Sequence, residues 1–398
     1  GSSGNGAMIL EPRIRNNICV NAHPLGCTAQ VRAQIQYVRA REKIDGPQKV
    51  LVVGASNGYG LAARIVSAFG SGAATIGIGY EKTGSAHRTG TAGWYNLEAF
   101  RNEAENEDLG VWNVNADAFA EETKTKVARL IKEKLGRIDF LVYSIAAPRR
   151  MDPATGEIYS SVIKPIGERF TAKTVDFLTG KVDVITAEPA TEEEVQQTVK
   201  VMGGEDWLLW LKKLRAADLL APGFLTVAFS YIGSVHTRAL YRDGTIGAAK
   251  KDLEQKVVAI NRLLAPLGGK ALISVNKALV TRASAVIPAV PLYIALLYRI
   301  MKAGHLHEGC IAQMYRLYHD HLFSDRPPRI DKKGRIRLDD YEMRPDVQQK
   351  VTELWEKVDA GNIRELADID GLRQEFLRHH GFDMPGIDYT REIDPADF

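Results

Sequence analysis

Lys49-Val-Leu-Val-Val-Gly-Ala-Ser-Asn-Gly-Tyr-Gly-Leu-Ala-Ala-Arg64 decides the fold. Residues 50–53 form an unbroken apolar run, as a strand buried on both faces requires. Gly54, Gly58 and Gly60 follow at once, and Leu61, Ala62, Ala63, Ile65 and Val66 begin a helical pattern. A strand, a glycine turn and a helix in that order make a dinucleotide site. The helix N-terminus points unpaired N–H groups at the pyrophosphate, and glycines let the backbone approach it. A tight βα turn without a ligand is the alternative reading of the same residues.

Downstream, Ala74-Thr-Ile-Gly-Ile-Gly-Tyr80 reads as a second strand ending at Glu81. A carboxylate there accepts from an adenosine ribose 2′-OH and repels a 2′-phosphate. Glu81 therefore favours NADH over NADPH, and Lys82 tempers that preference; an ordinary exposed strand-end carboxylate is the alternative. Residues 82–96, rich in Gly, Ser and Thr, read as a long loop over the cofactor, with His87 and Arg88 facing phosphate or solvent. Gly110-Val-Trp-Asn-Val-Asn-Ala-Asp117 is a third strand whose Asp117 is placed to accept from the adenine amino group. An amphipathic helix over 121–135 leads to a fourth strand from Ile138, ending in the small residues Ser144, Ala146 and Ala147. The alternation of strand and helix predicts an α/β fold, a doubly wound parallel sheet with its chemistry at the carboxyl ends of the strands.

Before the nucleotide strand, Ile18-Cys-Val20 suits a short strand, and Thr28 suits the cap of a helix running through Val31, Ile35 and Val38. His23 and Cys27 are separated by Pro24 and Gly26, which argues against a helical metal pair, and no metal site is expected. Residues 149–220 read as an insertion opened by Arg149, Arg150 and Asp152. It holds strand-like pieces at Phe177-Leu and Val182-Asp-Val-Ile185, a helix capped by Thr191, and a Trp- and Leu-rich segment over 206–220. Packing and acyl-chain contact are its expected roles.

Phe224-Leu-Thr-Val-Ala-Phe-Ser230 is the fifth strand, with Tyr231 at its end, and Tyr241-Arg-Asp-Gly-Thr-Ile-Gly-Ala-Ala-Lys250 follows. A tyrosine and a lysine between the fifth and sixth strands suit a reductase acid pair. The lysine bonds the nicotinamide ribose and lowers the phenol pKa, and the phenol serves an oxygen that becomes anionic. Nine residues apart is about 900° around a helix, half a turn out of phase, so one straight helix cannot converge them. Gly244 and Gly247 allow Tyr241 on a loop and Lys250 in the first helical turns. Lys270-Ala-Leu-Ile-Ser-Val-Asn276 is the sixth strand. The apolar stretch 284–301, broken by Pro288 and Pro291, is an acyl pocket or a plain core helix. Residues 325–335 read as a polar connector, 347–358 as an amphipathic helix and 387–398 as an acidic tail.

The glycine spacing resembles that of short-chain dehydrogenase/reductases. Combined with Asn21-Ala-His-Pro-Leu-Gly-Cys27, Arg88-Thr-Gly-Thr-Ala-Gly-Trp-Tyr95, Tyr143-Ser-Ile-Ala-Ala-Pro148 and Tyr241-x₈-Lys250, it resembles the trans-2-enoyl-CoA reductase / FabV-type enoyl-ACP reductase family from Met8 to the C-terminus. The resemblance implies an enlarged Rossmann scaffold and NADH-dependent reduction of trans-2-enoyl thioesters in fatty acid biosynthesis. It makes Tyr241 the proton donor, Lys250 the nicotinamide-ribose residue and Tyr231 a thioester contact. Gly54, Ala55, Ser56, Asn57, Gly58 and Tyr59 would line the pyrophosphate, and Tyr80 and Glu81 the adenosine ribose. Asp117 and Ala118 would hold the adenine, Ile145 and Ala146 the nicotinamide side, and Leu279, Val280 and Thr281 would cover the carboxamide. Related chains carry a flavin label on the C-terminal region. This sequence shows no flavin motif, and one NADH suffices for the hydride.

At 398 residues, with 45% apolar and 25% charged residues, the chain has the composition of a globular protein with a large core. A net charge of +3 with no basic stripe gives no reason to expect nucleic acid. The three cysteines, Cys19, Cys27 and Cys310, form no C-x-x-C pair and suit reduced thiols in a cytoplasmic enzyme. No stretch has the ~20 uninterrupted apolar residues of a membrane span. Residues 1–7 read as an expression remnant before Met8. The expected organisation is an NADH-binding core over 8–320, substrate-binding insertions at 149–220 and 282–310, and an extension over 321–398 packed on the core. A monomer is expected, taking an enoyl thioester on coenzyme A or on an acyl-carrier protein. Arg149, Arg150 and Arg282 are the candidates for a basic rim that would meet the carrier. A carbonyl reductase and a non-catalytic nicotinamide sensor are the rival functions.

Overall fold

Seven parallel strands form the central sheet of the computed structural model, which describes residues 6–281 and 287–398. They are β1 (Lys49–Val53), β2 (Ala74–Gly79), β3 (Val111–Asn115), β4 (Ile138–Tyr143), β5 (Leu220–Ser230), β6 (Lys270–Val275) and β7 (Arg335–Arg337), in the order β7-β6-β5-β4-β1-β2-β3. Each neighbouring pair is parallel. The winding direction reverses between β3 and β4, so a crevice opens where the carboxyl ends of β1 and β4 lie side by side.

The strands are apolar because both sheet faces are covered. Val50 and Val52 pack on one face with Phe140, Val142 and Val227. Leu51 and Val53, one residue out of step, pack on the other with Ile76, Ile78 and Leu141. The first face is covered by α1 (Pro24–Arg39), α2 (Gly58–Ile65) and α3 (Ala92–Asn106), through Val31, Leu61 and Phe100. The second carries α4 (Glu121–Lys134), with α5 (Glu192–Met202) lying along α7 (Thr245–Leu264) and α6 (Glu205–Ala216) burying Trp207 and Trp210. A third core forms around α8 (Val290–Ala303). From there α9 (Cys310–Arg316) returns to the first face, α10 (Pro345–Lys357) and α12 (Ile369–Arg378) pack their apolar sides on α8, and α11 (Ile363–Leu366) adds Ile363 to the same core. Among the described residues no helix is long and apolar enough to cross a membrane.

Several elements depart from expectation. Helix α1 starts at Pro24, not after Thr28: His23 is the cap, its ring nitrogen accepting from the Gly26 N–H, and proline is pre-set for the first turn. A hairpin in the insertion pairs Phe170–Asp176 with Lys181–Ala187. Phe177 lies in its turn because that ring is buried against Phe376. Helix α3 begins at Ala92, so the loop is shorter than expected, and it is tied down by the Gly90 N–H on the Tyr95 hydroxyl at 2.8 Å. The connector supplies β7, in which only Ile336 points inward while Arg335 and Arg337 pair with Asp331 and Asp339. The Thr191 cap is present as a full capping box with Glu194. Residues 282–286, with Arg282 and the start of the proline-broken stretch, lie outside the described residues.

Candidate active site

The glycine turn after β1 is shaped by close approaches. Gly54 has φ +89°, and a Cβ there would stand 2.1 Å from the Ser144 carbonyl oxygen at the end of β4. A Cβ on Gly60 would stand 1.8 Å from the Gly54 carbonyl oxygen. Gly58, at φ +55°, opens α2 and faces open space within 4 Å of its missing Cβ. The result is a helix N-terminus with an unobstructed backbone before it, which fits a pyrophosphate. Ala55 is buried, its N–H donating to the Ile78 carbonyl at 2.8 Å. Asn57 accepts from Asn96. The Tyr59 side chain turns away from the cradle: its hydroxyl donates to the Lys277 carbonyl at 2.8 Å and accepts from Gln313 at 2.9 Å.

At the tip of β2 the Glu81 carboxylate is held by two hydroxyls, Ser56 at 2.7 Å and Thr91. Its N–H donates to Asn115 at 2.8 Å, which fixes the strand ends together. Tyr80 is 76% exposed beside it, a free aromatic face at the ribose end. Asp117 accepts from the Phe119 N–H at 3.0 Å, and Ala118 is buried next to it. Just past β4, against the glycine turn, Ile145 is half-buried and Ala146 exposed. Leu279 and Val280 are buried, and Thr281 is exposed. The Val280 backbone is clamped by the Tyr298 hydroxyl at 3.1 Å and by His379 at 2.8 Å.

Tyr241 sits on the turn before α7, and Lys250 lies in the second turn of that helix. The glycines permit this: a Cβ on Gly247 would stand 2.3 Å from the Tyr241 carbonyl oxygen, and one on Gly244 would stand 2.4 Å from that of Leu240. Tyr231 and Tyr241 meet edge to face, ring centroids 4.9 Å apart. Lys250 donates to the Phe229 carbonyl at 3.1 Å, and burial lowers its pKa to about 8. The expected lowering of the Tyr241 phenol is reversed: burial, then the charge of Glu342, push it above its ordinary range. Such a phenol keeps its proton at neutral pH and is a donor rather than a base.

Sequence reasoning missed Glu342, Tyr293 and Lys277. Glu342, fully buried, accepts from Tyr293 at 2.6 Å, Tyr231 at 3.2 Å and the Ala278 N–H at 2.8 Å. Lys277 is buried beside it, its pKa lowered to about 8 by burial against the pull of Glu342. Lys277 stands two residues past β6, a position that could have flagged it. Nothing local marks Glu342, which lies far along the chain from both tyrosines. One arginine proposed for a basic rim is also misplaced. Arg150 is buried and committed to Glu205 at 3.0 Å and the Lys200 carbonyl at 2.8 Å, while Arg149 is exposed.

A family model described as the trans-2-enoyl-CoA reductase catalytic region matches residues 88–323, and one for that enzyme's NAD(P)H binding domain matches residues 9–86. The chain belongs to the trans-2-enoyl-CoA reductase family. It is 50% identical over 387 residues to the NADH trans-2-enoyl-CoA reductase of Ruminiclostridium cellulolyticum, covering 97% of this chain and 98% of that one. It is 53% identical over 389 residues to the NADH enoyl-acyl-carrier-protein reductase of Opitutus terrae, covering 98% and 99%. Its fold matches the Treponema denticola trans-2-enoyl-CoA reductase crystallised with NAD, at TM-score 0.94 and 49% identity over 97% of this chain and 98% of that one. An enoyl reductase FAD-binding model matches residues 330–393. In this family member the inner face of that segment is filled by its own side chains, with Val347, Val351, Ile369, Leu372 and Phe376 packed on α8. Its buried acids are taken by Arg337 (with Asp339) and by the tyrosines (with Glu342). At these positions the residues fit a packed protein segment and not a flavin site.

Proposed function

We propose that this chain reduces the trans-2 double bond of enoyl thioesters with NADH, using Tyr241 as proton donor. The observation that carries the reading is the Tyr231–Tyr241 pair at the carboxyl end of β5, with Lys250 anchored on the same strand end, in a sheet whose β1 ends in an open glycine turn. The residues of the cradle fit a dinucleotide. Gly54, Ala55, Ser56, Asn57 and Gly58 would lie along the pyrophosphate, together with the Tyr59 backbone. Tyr80 and Glu81 would meet the ribose, Asp117 and Ala118 the adenine, and Ile145, Ala146, Leu279, Val280 and Thr281 the nicotinamide. Bound NADH supplies the hydride for the β-carbon. Negative charge then gathers on the thioester oxygen, where Tyr241 donates and Tyr231 offers a second hydroxyl. Lys250 would hold the nicotinamide ribose and place the ring against the tyrosines. The thioester arrives on coenzyme A or on an acyl-carrier protein, with exposed Arg149 available to the carrier's phosphates.

Loss of NADH absorbance with crotonyl-CoA tests this directly. Wild type turns over, and Tyr241→Phe loses about 10²- to 10⁴-fold in kcat while still binding NADH. Turnover of a 3-oxoacyl thioester without turnover of crotonyl-CoA would make the chain a carbonyl reductase instead.

A further inference from the structure

The Tyr231 hydroxyl has one hydrogen, and in the structure that hydrogen is directed at Glu342, so its service to the thioester depends on that carboxyl. The hydroxyl donates to Glu342 Oε2 at 3.2 Å, and the same oxygen accepts from Tyr293 at 2.6 Å. Glu342 Oε1 accepts from the Ala278 N–H. All three hydrogens point at the carboxylate, as an ionised acid requires. A protonated acid would reverse one of these bonds. We propose that Glu342 is a positioning residue that gates Tyr231: protonated, it donates to the Tyr231 oxygen and frees the Tyr231 O–H for the thioester oxygen, whereas ionised it captures that O–H. The gate rests on the reading of Tyr231 as the thioester contact.

The surroundings suit a carboxyl that changes state. Burial raises the Glu342 pKa from its ordinary value, as does Asp339 on its own segment. Lys277 after β6, Tyr293 on α8 and the Ala278 N–H lower it. Lys277 itself faces Glu375 and Glu308 as well as Lys302, so its charge is shared. Tyr231 and Tyr241 both feel the Glu342 charge as a push upward. A proton can also arrive. Gln348 donates to the Tyr293 hydroxyl at 3.1 Å and to the Glu342 carbonyl at 2.8 Å. It lines, with Ser234 and Arg238, a surface hollow of about 350 Å³. The Ser234 hydroxyl also bonds the Tyr293 hydroxyl, so a chain of two hydroxyls, Ser234 and Tyr293, links the hollow to Glu342.

The test is the pH dependence of kcat/KM for crotonyl-CoA in the full chain, with NADH saturating, for wild type, E342Q and Y231F. Wild type should lose about tenfold per pH unit along its first descending step. E342Q donates from its amide at every pH, and Y231F has no hydroxyl to capture. Both should lack that step and change by less than about threefold over the same interval. Saturating NADH masks the loss of cofactor affinity that follows Lys250, and any decline the three proteins share belongs to groups other than Glu342. Identical profiles for the three proteins overturn the gate. If E342Q does not fold, Y231F decides alone: a retained first step overturns the gate and a lost one upholds it. Undiminished turnover by Y241F overturns the reductase reading and the gate with it. A large loss in Y241F alongside three identical profiles overturns the gate alone.

Discussion

The Lys250 ammonium donates to the main-chain oxygen of Phe229, two residues before Tyr231, so lysine and tyrosine are fixed to the same strand end. Burial lowers the Lys250 pKa to about 8, and the charged form is the one that holds a ribose hydroxyl. NADH affinity should therefore be full below pH 8 and fall as pH rises past it. Lys250→Met should weaken NADH binding about tenfold or more and abolish that pH dependence. Fluorescence titration of NADH from pH 6 to about 9.5 checks both, a span chosen to bracket the shifted lysine. Wild-type affinity in Lys250→Met, with the same pH curve, would remove Lys250 from the cofactor site.

Glu81 is held by Ser56 and Thr91, so its charge stays at the tip of β2 and meets whatever the ribose carries. Ser56 and Thr91 bond different oxygens of Glu81, so Glu81→Gln removes the charge, keeps an oxygen for one hydroxyl and donates from its amide to the other. The ratio of kcat/KM for NADPH over NADH should rise about tenfold or more, because a 2′-phosphate no longer faces a like charge. An unchanged ratio would mean that selectivity is set elsewhere.

The two glycines that open and enter α2 should respond differently to alanine. At Gly60 the new Cβ would stand 1.8 Å from the Gly54 carbonyl oxygen, backbone against backbone. Gly60→Ala should cost about 3 kcal/mol or more, read as a shifted urea midpoint. At Gly58 the φ of +55° is strained for alanine but the space is open. Gly58→Ala should cost about 1–2 kcal/mol, remain folded, and weaken NADH by placing a methyl where the pyrophosphate passes. Equal costs at the two positions would contradict the close approach at Gly60.

Much of this architecture was legible in advance because buried parallel strands must be apolar on both faces, and such runs stand out at Val50–Val53 and at the Ile138 and Phe224 strands. The glycine turn was legible for the same reason that Gly60→Ala should fail: only a missing side chain fits. The Tyr241 and Lys250 placement followed from helical phase. β7 escaped notice because one inward residue, Ile336, leaves no run to see, and its arginines pair sideways with Asp331 and Asp339. The hairpin was misplaced because Phe177 is apolar for packing rather than for a ladder. Glu342 was invisible because its partners come from β5, the loop after β6 and α8, and only the folded chain brings them together.

Buried phenols should give the chain a distinctive alkaline instability. Tyr59, Tyr143, Tyr231, Tyr293 and Tyr298 are all raised well above the ordinary phenol pKa, first by burial. Unfolded, these groups release their protons near pH ~10, and folded they keep them. The native state then binds more protons than the unfolded one, so stability present below pH ~10 is lost as pH rises, by up to about 1.4 kcal/mol per pH unit for each group. Lys250 and Lys277 act with the opposite sign. Lowered to about 8, they lose their protons in the folded state first, so stability climbs from there up to the ordinary lysine value. Urea midpoints should thus rise gently above pH 8 and turn down steeply past about pH 10. Tyr143 isolates one contribution, because its hydroxyl bonds Asp206 at 2.9 Å while Asp206 keeps Lys124 at 2.7 Å. Tyr143→Phe should flatten the descending limb by about one group's slope, and an unflattened limb would show that this phenol ionises without unfolding the chain.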